Sequence, residues 1–383
     1  KVLRILGAIF FIIFVLSCYG GANYYIGRRI FQGLTFLFPQ INGKIYAGIY
    51  IFISLSIIIA ILPLPFGIKN IMRWISSYWM GIFVYLLMLF LLADLILFLG
   101  SIIKVIPKPM PPAIHFYRGL IVLFLTTSLV SYGMYNASQI KQVSYNVQIK
   151  EAGLANEMQI VLISDLHLGA INSEKNLERI VQGINNLEPD IVCLAGDIFN
   201  DDYYALDNPE KAIDLLKSIE ATYGVYACLG NHDGGRTFTE IVRFLEQSNI
   251  KLLNDEYVVI NEELVLLGRV DPSPIGGYGE LKRKDISEIL ASIDTNLPIV
   301  VMEHTPSNIE QYGKEIDLLL AGHTHKGQIF PFNLVTNAIF TVDYGHYQQD
   351  AERPHVIVTS GVGTWAMPMR IGSNNEIVSI LLH

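Results

Sequence analysis

The sequence predicts two joined architectures, an N-terminal all-α transmembrane bundle of about four helices and a C-terminal α/β domain built in layers. Three observations predict them. Of 383 residues, 51% are hydrophobic and only 16% charged, with a mean hydropathy of +0.40, which is too apolar for an ordinary soluble enzyme. The charge is divided: residues 1–136 hold ten Lys and Arg against a single acid, Asp94, a net +9, whereas residues 137–383 sum to −17. Long apolar runs stop near residue 137, and beyond it short β-rich runs alternate with amphipathic helical stretches. The boundaries read 1–137 for the membrane region, 138–157 for a linker and the approach to the next domain, and 158–383 for the α/β domain.

A helix crossing the hydrocarbon needs about 20 mostly apolar residues. Stretches near 5–21, 45–68, 74–103 and 116–137 meet or approach that length. The chain begins KVLR rather than with Met, which leaves its native start open. The first run, with three more behind it, reads as a retained helix rather than a signal peptide, and VLSC at 15–18 is a poor lipobox. Between the first two spans, YYIGRRIFQGLTFLFPQING is interrupted by Arg28 and Arg29. It reads as an interfacial segment with its arginines at headgroup level, or as a plain loop. KVIPKPMPP at 104–112 must be a turn or extended connection. Asp94 lies in LFLLADLILFLG, where an ionised carboxylate costs about 2.5–3.5 kcal/mol. It therefore meets another helix or a substrate headgroup, or else stays protonated or snorkels. Four spans put both termini on one side, but the flanking cations tally six against six (Arg28, Arg29, Lys44, Lys104, Lys108 and Arg118 against Lys1, Arg4, Lys69, Arg73, Lys141 and Lys150), so the side on which the second half lies stays undetermined.

In the second half the strands read MQIVLIS, DIVCLAG, GVYACLG, LVLLGRV, PIVVMEH, DLLLAGH, HVIVTSG and EIVSILL. Helices read SEKNLERIVQGINNL, NPEKAIDLLKSIEATY, RTFTEIVRFLEQSN and KRKDISEILASID, each with apolar residues three and four apart. Nearly continuous apolar strands alternating with helices imply a sheet covered on both faces. Five strands deliver metal-type ligands where they end: Asp165 and His167; Asp197; Asn231, His232 and Asp233; His304; and His323 and His325. That edge is where α/β sheets build their sites.

Other classes are excluded by composition. A half-apolar chain is not a disordered polymer, and three cysteines do not make a disulfide scaffold. Cys18, Cys193 and Cys228 read as buried free thiols. The acidic second half argues against nucleic acid as a partner, since phosphate backbones favour an excess of Lys and Arg.

The series D-x-H, G-D, G-N-H-D, H, G-H-T-H resembles the calcineurin-like metallophosphoesterase superfamily from about residue 158 to the C-terminus. The late segment SGVGTWAMPMR at 360–370 is similar to the membrane-associated YkuE/YaeI-like branch. The resemblance implies a two-sheet β-sandwich flanked by helices, with two divalent metals at the sheet edge. It implies one metal on Asp165, His167 and His325, a second on Asn231, His304 and His323, and Asp197 bridging. His232 would then donate a proton to the leaving group or stabilise the transition state, oriented by Asp233.

The residue types suit that chemistry. Two cations about 3.5–4 Å apart acidify a water and neutralise phosphoryl oxygens. Mixed Asp, Asn and His donors suit Mn, Fe or Zn more than Ca. Histidine titrates near neutrality, as a proton donor must. Softer candidates are Arg370, as a phosphate contact or a surface salt bridge, and Tyr203 and Tyr204, as cleft lining. Lys326 follows GHTH where the branch commonly carries Gly, and is a further candidate substrate contact. His115, His346, His355 and His383 match no motif. The expected function is a multi-pass, membrane-anchored phosphohydrolase of the cell membrane, acting as phosphodiesterase, phosphomonoesterase or pyrophosphatase on a membrane-associated or lipid-linked phosphate ester. The alternative is a membrane sensor or binding protein that keeps the fold without catalysis.

Overall fold

The computed structural model describes residues 2–149, 154–200 and 202–383. The chain divides into two compact units, 1–132 and 133–383. Two of the cations counted above, Lys1 and Lys150, lie outside the described residues, as does part of the expected linker, 150–153.

The first unit is built from helices α1 (Val2–Leu37), α2 (Gly43–Ile59), α3 (Phe66–Ile102) and α4 (Pro112–Ala137), the last continuing into the second unit. Three of them are long and apolar enough to cross a membrane, over Ile9–Leu37, Phe66–Ile102 and Pro112–Ala137. The expected fourth span, 45–68, ends instead at Ile59. Pro63 and Pro65 interrupt it, because proline removes a backbone donor and turns the preceding residue away from helix. The 17 residues of α2 that remain are apolar but short.

The segment expected to lie at the interface, or to form a loop, is not a loop over its first part: α1 runs unbroken through Arg28 and Arg29 to Leu37. Its second arginine has a partner the local sequence does not reveal. Arg29 Nη2 lies 2.6 Å from Asp94 Oδ2 and Arg118 Nη1 lies 2.8 Å from Asp94 Oδ1, while the Tyr25 hydroxyl donates to Asp94 Oδ2 at 2.6 Å. Asp94 therefore joins α1, α3 and α4, and its charge is offset by two cations where an unpaired carboxylate would be costly. Ile26, Trp79, Leu86, Phe90 and Val122 form the apolar centre of this unit, while Phe10, Ile61 and Phe124 point outward.

The second unit holds strands β1 (Ile140–Val147), β2 (Met158–Ile163), β3 (Ile191–Ala195), β4 (Val225–Cys228), β5 (Ile250–Leu252), β6 (Glu256–Ile260), β7 (Leu264–Gly268), β8 (Ile299–Met302), β9 (Leu318–Ala321), β10 (Gly345–Tyr347), β11 (His355–Val358) and β12 (Asn375–Leu382). Helices α5 (Glu174–Asn185), α6 (Pro209–Lys217), α7 (Phe238–Gln247), α8 (Ile286–Leu290) and α9 (Phe332–Ile339) lie between them. The strands form two six-stranded sheets, ordered β1-β12-β2-β3-β4-β5 and β10-β11-β9-β8-β7-β6.

Alternation along each strand explains the layers. Ile160, Leu162, Cys193, Leu266, Val300, Met302 and Leu320 meet between the sheets. The intervening Val161, Ile163 and Leu194 turn outward onto the helices α5, α6 and α7. Val265, Val301 and Leu319 do the same on the other sheet, against α8. The expected two-sheet sandwich flanked by helices is what forms. The stretch expected as linker contributes β1, which pairs in parallel with β12 from Ile140↔Asn375 to Val147↔Leu382. Strands β2, β3 and β4 run parallel, as do β7, β8, β9 and β11, so their C-terminal ends share one edge of the sandwich.

Candidate metal centre

That edge gathers the candidate ligands. Asp165 and His167 follow β2, Asp197 follows β3, Asn231 follows β4, His304 follows β8, and His323 and His325 follow β9. Five of these seven, Asp165, His167, Asp197, His323 and His325, have φ between +45° and +71°. Non-glycine residues adopt that region at a cost of about 1–3 kcal/mol each, and such strain clusters at functional sites. The turns are held by neighbouring loops: Asp165 N–H donates to Gly196 O, His167 N–H to Asp197 O and Gly322 N–H to His304 O, each at 3.0 Å. Gly322 permits the close approach, since a Cβ there would lie 2.0 Å from Ser164 Oγ and 2.5 Å from Asp165 Oδ2.

Two groups result, Asp165, His167 and His325, and Asp197, His304 and His323. In the first, His325 Nε2 lies 3.2 Å from Asp165 Oδ1 and 3.1 Å from His167 Nε2. In the second, His304 Nε2 lies 3.2 Å from Asp197 Oδ2, and His323 Nδ1 lies 2.8 Å from Asn231 Oδ1 and 3.2 Å from His304 Nε2. Asp197 Oδ2 is also 3.6 Å from His167 Nε2, so one oxygen faces both groups.

The residues fit cations. Each carboxylate has one oxygen tied by the protein and one aimed inward: His323 N–H donates to Asp165 Oδ2 and His232 N–H to Asp197 Oδ1. Asp165 Oδ1 is buried with no hydrogen-bond partner. His304 Nδ1 donates to Ala195 O at 2.8 Å, which turns its Nε2 toward the acceptors of Asp197 and Asn231. Acceptor atoms thus face one another in a dry pocket, an arrangement that a positive charge must balance.

The electrostatics agree. Burial alone would raise Asp165 and Asp197, yet the neighbouring imidazoles, His325 for the first and His304 for the second, hold both well below the usual carboxylate range. Burial opposes charge on His304, but Asp197 and Asp165 overcome it and hold its pKa well above the ordinary value. Burial pushes His167 down to about 3 and His323 to about 4, and it lowers His325.

His232 stands at the mouth, half-buried, its ring 5.3 Å from that of His167 and 5.9 Å from that of Trp365. Asp233, expected to orient the His232 ring, has its oxygens bound by backbone N–H groups, Oδ1 by Phe199 at 3.0 Å and Oδ2 by Gly230 at 2.8 Å. It ties together the loops after β3 and β4 and so places His232 through the backbone. Burial first, then the charge of Asp197, push its pKa up to about 7.

One expectation is corrected. Arg370 is not a substrate contact or a surface salt bridge: it is fully buried, and its guanidinium donates to Asn375 Oδ1, His325 O, Gly363 O and Ser373 Oγ. Its Nη2 also lies 3.1 Å from His325 Nδ1, so it braces a candidate ligand from behind. Lys326, half-buried, has its ammonium 4.0 Å from the centroid of Tyr344. Tyr203 packs on Phe199 and Phe244, and Tyr204 donates to Glu240. Trp365 and Phe340 at the rim were missed, the latter with its ring 5.8 Å from that of His323. Trp365 lies within the SGVGTWAMPMR segment that carried the resemblance, and an aromatic in a loop between glycines was the available signal.

Residues 158–327 match the family model for calcineurin-like phosphoesterases. The chain carries a calcineurin-like phosphoesterase domain. The whole chain is 28% identical over 381 residues to an uncharacterised metallophosphoesterase of Campylobacter jejuni, covering 96% of each. A transmembrane protein with metallophosphoesterase domain from Danio rerio is 30% identical over 284 residues, 70% of this chain and 63% of that one. The metallophosphoesterase YkuE of Bacillus subtilis is 28% identical over 237 residues, 58% of this chain and 78% of its own. Among solved structures, TT1561 of Thermus thermophilus aligns over 54% of this chain and 92% of its own, at 11% identity and a TM-score of 0.37. The phosphoesterase domain ends its match at Gly327, so Arg370 and Trp365 lie beyond it.

Proposed function

We propose that the protein is a membrane-anchored, dinuclear-metal phosphohydrolase acting on a phosphate ester held in or near the bilayer. The observation that supports it most directly is the convergence of inward-facing donor atoms on two adjacent points with Asp197 Oδ2 common to both. Asp165, His167 and His325 would hold one divalent cation, Asn231, His304 and His323 the other, and Asp197 would bridge. Bound there, the pair would supply Lewis-acid polarisation of a water and charge neutralisation at a phosphoryl group.

The chain's own residues do the rest. His232, half-buried at the mouth, donates a proton from its ring to the leaving oxygen, which would otherwise depart as a costly alkoxide. Its position is fixed by its backbone N–H on Asp197 Oδ1 and by the Asp233 clamp on the adjoining loops. Asp165 and Asp197 stay ionised at neutral pH and so remain acceptors. The apolar helices α1, α3 and α4 would keep the site beside lipid, which favours a lipid phosphate, a lipid-linked diphosphate or an envelope ester as substrate class.

The test uses the purified full chain, an aryl phosphodiester and added Mn. We expect hydrolysis that Asp197→Asn abolishes with loss of bound metal. His232→Ala should lower the rate roughly 100- to 10,000-fold with metal retained. Undiminished turnover in both variants refutes the mechanism, and fewer than one metal per chain after reconstitution favours the binding-protein alternative.

A further inference from the structure

Helix α9 is built inside out. A surface helix normally turns its apolar stripe to the core, but none of the residues in α9 is buried. Leu334 is 61% exposed, Val335 50% and Ile339 68%, with Phe332 beside them. The face turned to the protein is polar: Thr336 Oγ1 donates to Asp343 Oδ2 at 3.1 Å, and a Cβ on Gly327 would lie 2.1 Å from Asn333 N. Phe330, just before the helix, and Trp365 extend the apolar surface, each 44% exposed. Residues 327–342 contain no charged side chain. A patch of this kind on a folded surface marks a partner.

Its neighbours say which partner. The segment around Arg370 holds the last turn of α4 on one side: Arg370 N–H donates to Gly133 O at 2.9 Å, and Asn136 Nδ2 donates to Arg370 O and Ser373 O at 3.1 and 2.8 Å. On the other side it holds the approach to α9: Ile371 N–H donates to Gln328 O at 3.0 Å and Phe330 N–H to Ile371 O at 2.7 Å. Gln328 in turn grips Trp365, accepting from its N–H at 2.7 Å. Helix α4 is long and apolar enough to span a bilayer, and its last turn carries exposed Tyr135, the residue type that anchors helices at the lipid–water boundary. The lip is therefore bonded, two short steps away, to the point where that helix leaves its apolar stretch.

We propose that α9, with Phe330 and Trp365, is an apolar lip that seats in the interfacial layer of the lipid bilayer. Interfacial helices bury an apolar face about 5–10 Å into that layer. Trp365 touches His232 and Phe340 touches His323, so the seated lip would open the metal centre at the membrane surface. That consequence rests on the phosphohydrolase reading, whereas the seating itself does not.

The experiment uses the full chain with Cys18→Ser, since Cys193 and Cys228 are buried. A polarity-sensitive fluorophore is placed at Ile339→Cys or, as control, at exposed Lys175→Cys on α5, in phosphatidylcholine–phosphatidylglycerol vesicles containing lipids brominated along the acyl chain. The proposal expects blue-shifted, quenched emission at position 339, strongest for bromines about 5–10 Å below the boundary, and neither effect at 175. Adding Leu334→Glu and Val335→Glu should remove the quenching at 339 while the control signal stays the same. Equal, unquenched emission at both positions overturns the proposal. So does efficient cross-linking of two chains through position 339 without lipid quenching, which would make the lip a dimer contact. Hydrolysis is not read out, so a failure here is distinct from a failure of the catalytic reading.

Discussion

Loading metal into the cation-free protein at pH 8 should release about one proton per chain from His304, beside any proton lost by a metal-polarised water. The reason lies in how the second group is balanced. His304 Nδ1 donates to Ala195 O, and its Nε2 lies 3.2 Å from both Asp197 Oδ2 and Asn231 Oδ1. With Asp197 and Asp165 holding its pKa well above the ordinary value, His304 carries a second proton on Nε2 where a cation would sit. His167 and His323, pushed down to about 3 and 4, and the lowered His325 are already neutral and release nothing. Asp233, at about 7, is largely ionised at pH 8 and adds little. Metal and proton compete for one imidazole, so apparent affinity should rise about tenfold per pH unit, or about 1.4 kcal/mol, while His304 remains the protonated competitor. Isothermal titration of Mn or Zn in buffers of different ionisation enthalpy reads the proton count directly. In the cation-free protein Asp197→Asn removes the main charge that sustains the imidazolium and should lower the His304 pKa read by NMR. A wild-type count near zero, or near three, would refute the charge balance argued here.

Two further outcomes follow from the same geometry. Arg370→Gln should leave buried acceptors on His325, Gly363 and Asn375 without donors, at about 1–3 kcal/mol each; thermal unfolding should drop by several degrees, whereas a substrate contact would raise KM and leave Tm in place. Asp233 has a folded pKa raised to about 7 from near 4, so its contribution to stability is fully present below pH 4 and is lost as pH rises through 7. The Tm difference between Asp233→Asn and wild type, both cation-free, should therefore shift in favour of the variant between pH 5 and 8, and a pH-independent difference would contradict the buried carboxylate's assignment.

What could be read in advance depended on how far apart the interacting groups stand in the chain. Strands β2, β3, β4, β8 and β9 announce themselves as apolar runs, and metal-type side chains follow each within two to four residues, so the candidates were legible from where the strands end, while the choice of ligands among them came from the family resemblance. Strand β1 was not: IKQVSYNV is mostly exposed on an edge, and only its pairing with β12, more than 200 residues later, makes it a strand. The continuity of α1 through Arg29 was hidden in the same way, because the carboxylate that accepts Arg29 is Asp94 on α3. Arg370 looked like a phosphate contact in a Gly- and Pro-punctuated loop, and nothing local tells that its donors are all spent on carbonyls and side chains inside the fold. Helix α9 was not among the helices read from the sequence, and although apolar residues recur along it at helical spacing, none of them is buried.

The edge that carries the candidate ligands also holds backbone strain that the apolar layers beneath it must support. Five candidate ligands sit at positive φ, and Asp165 Oδ1 and His167 Nδ1 are buried without hydrogen-bond partners. Neither strain nor orphaned acceptors stabilise a fold, so the loops after β2, β3 and β9 are held by what surrounds them. Part of that support comes from strands buried on both faces, part from Asp233 and Arg370 bracing the loops from behind. A ligand that binds only the assembled edge shifts the folding equilibrium toward it by mass action, and a divalent cation would pair with Asp165 Oδ1, whereas His167 Nδ1 lies on the far side of the ring from the Nε2 that joins the group. The left-handed turns keep their cost with or without a cation, so the layers beneath them and the bound charge support the edge by separate means.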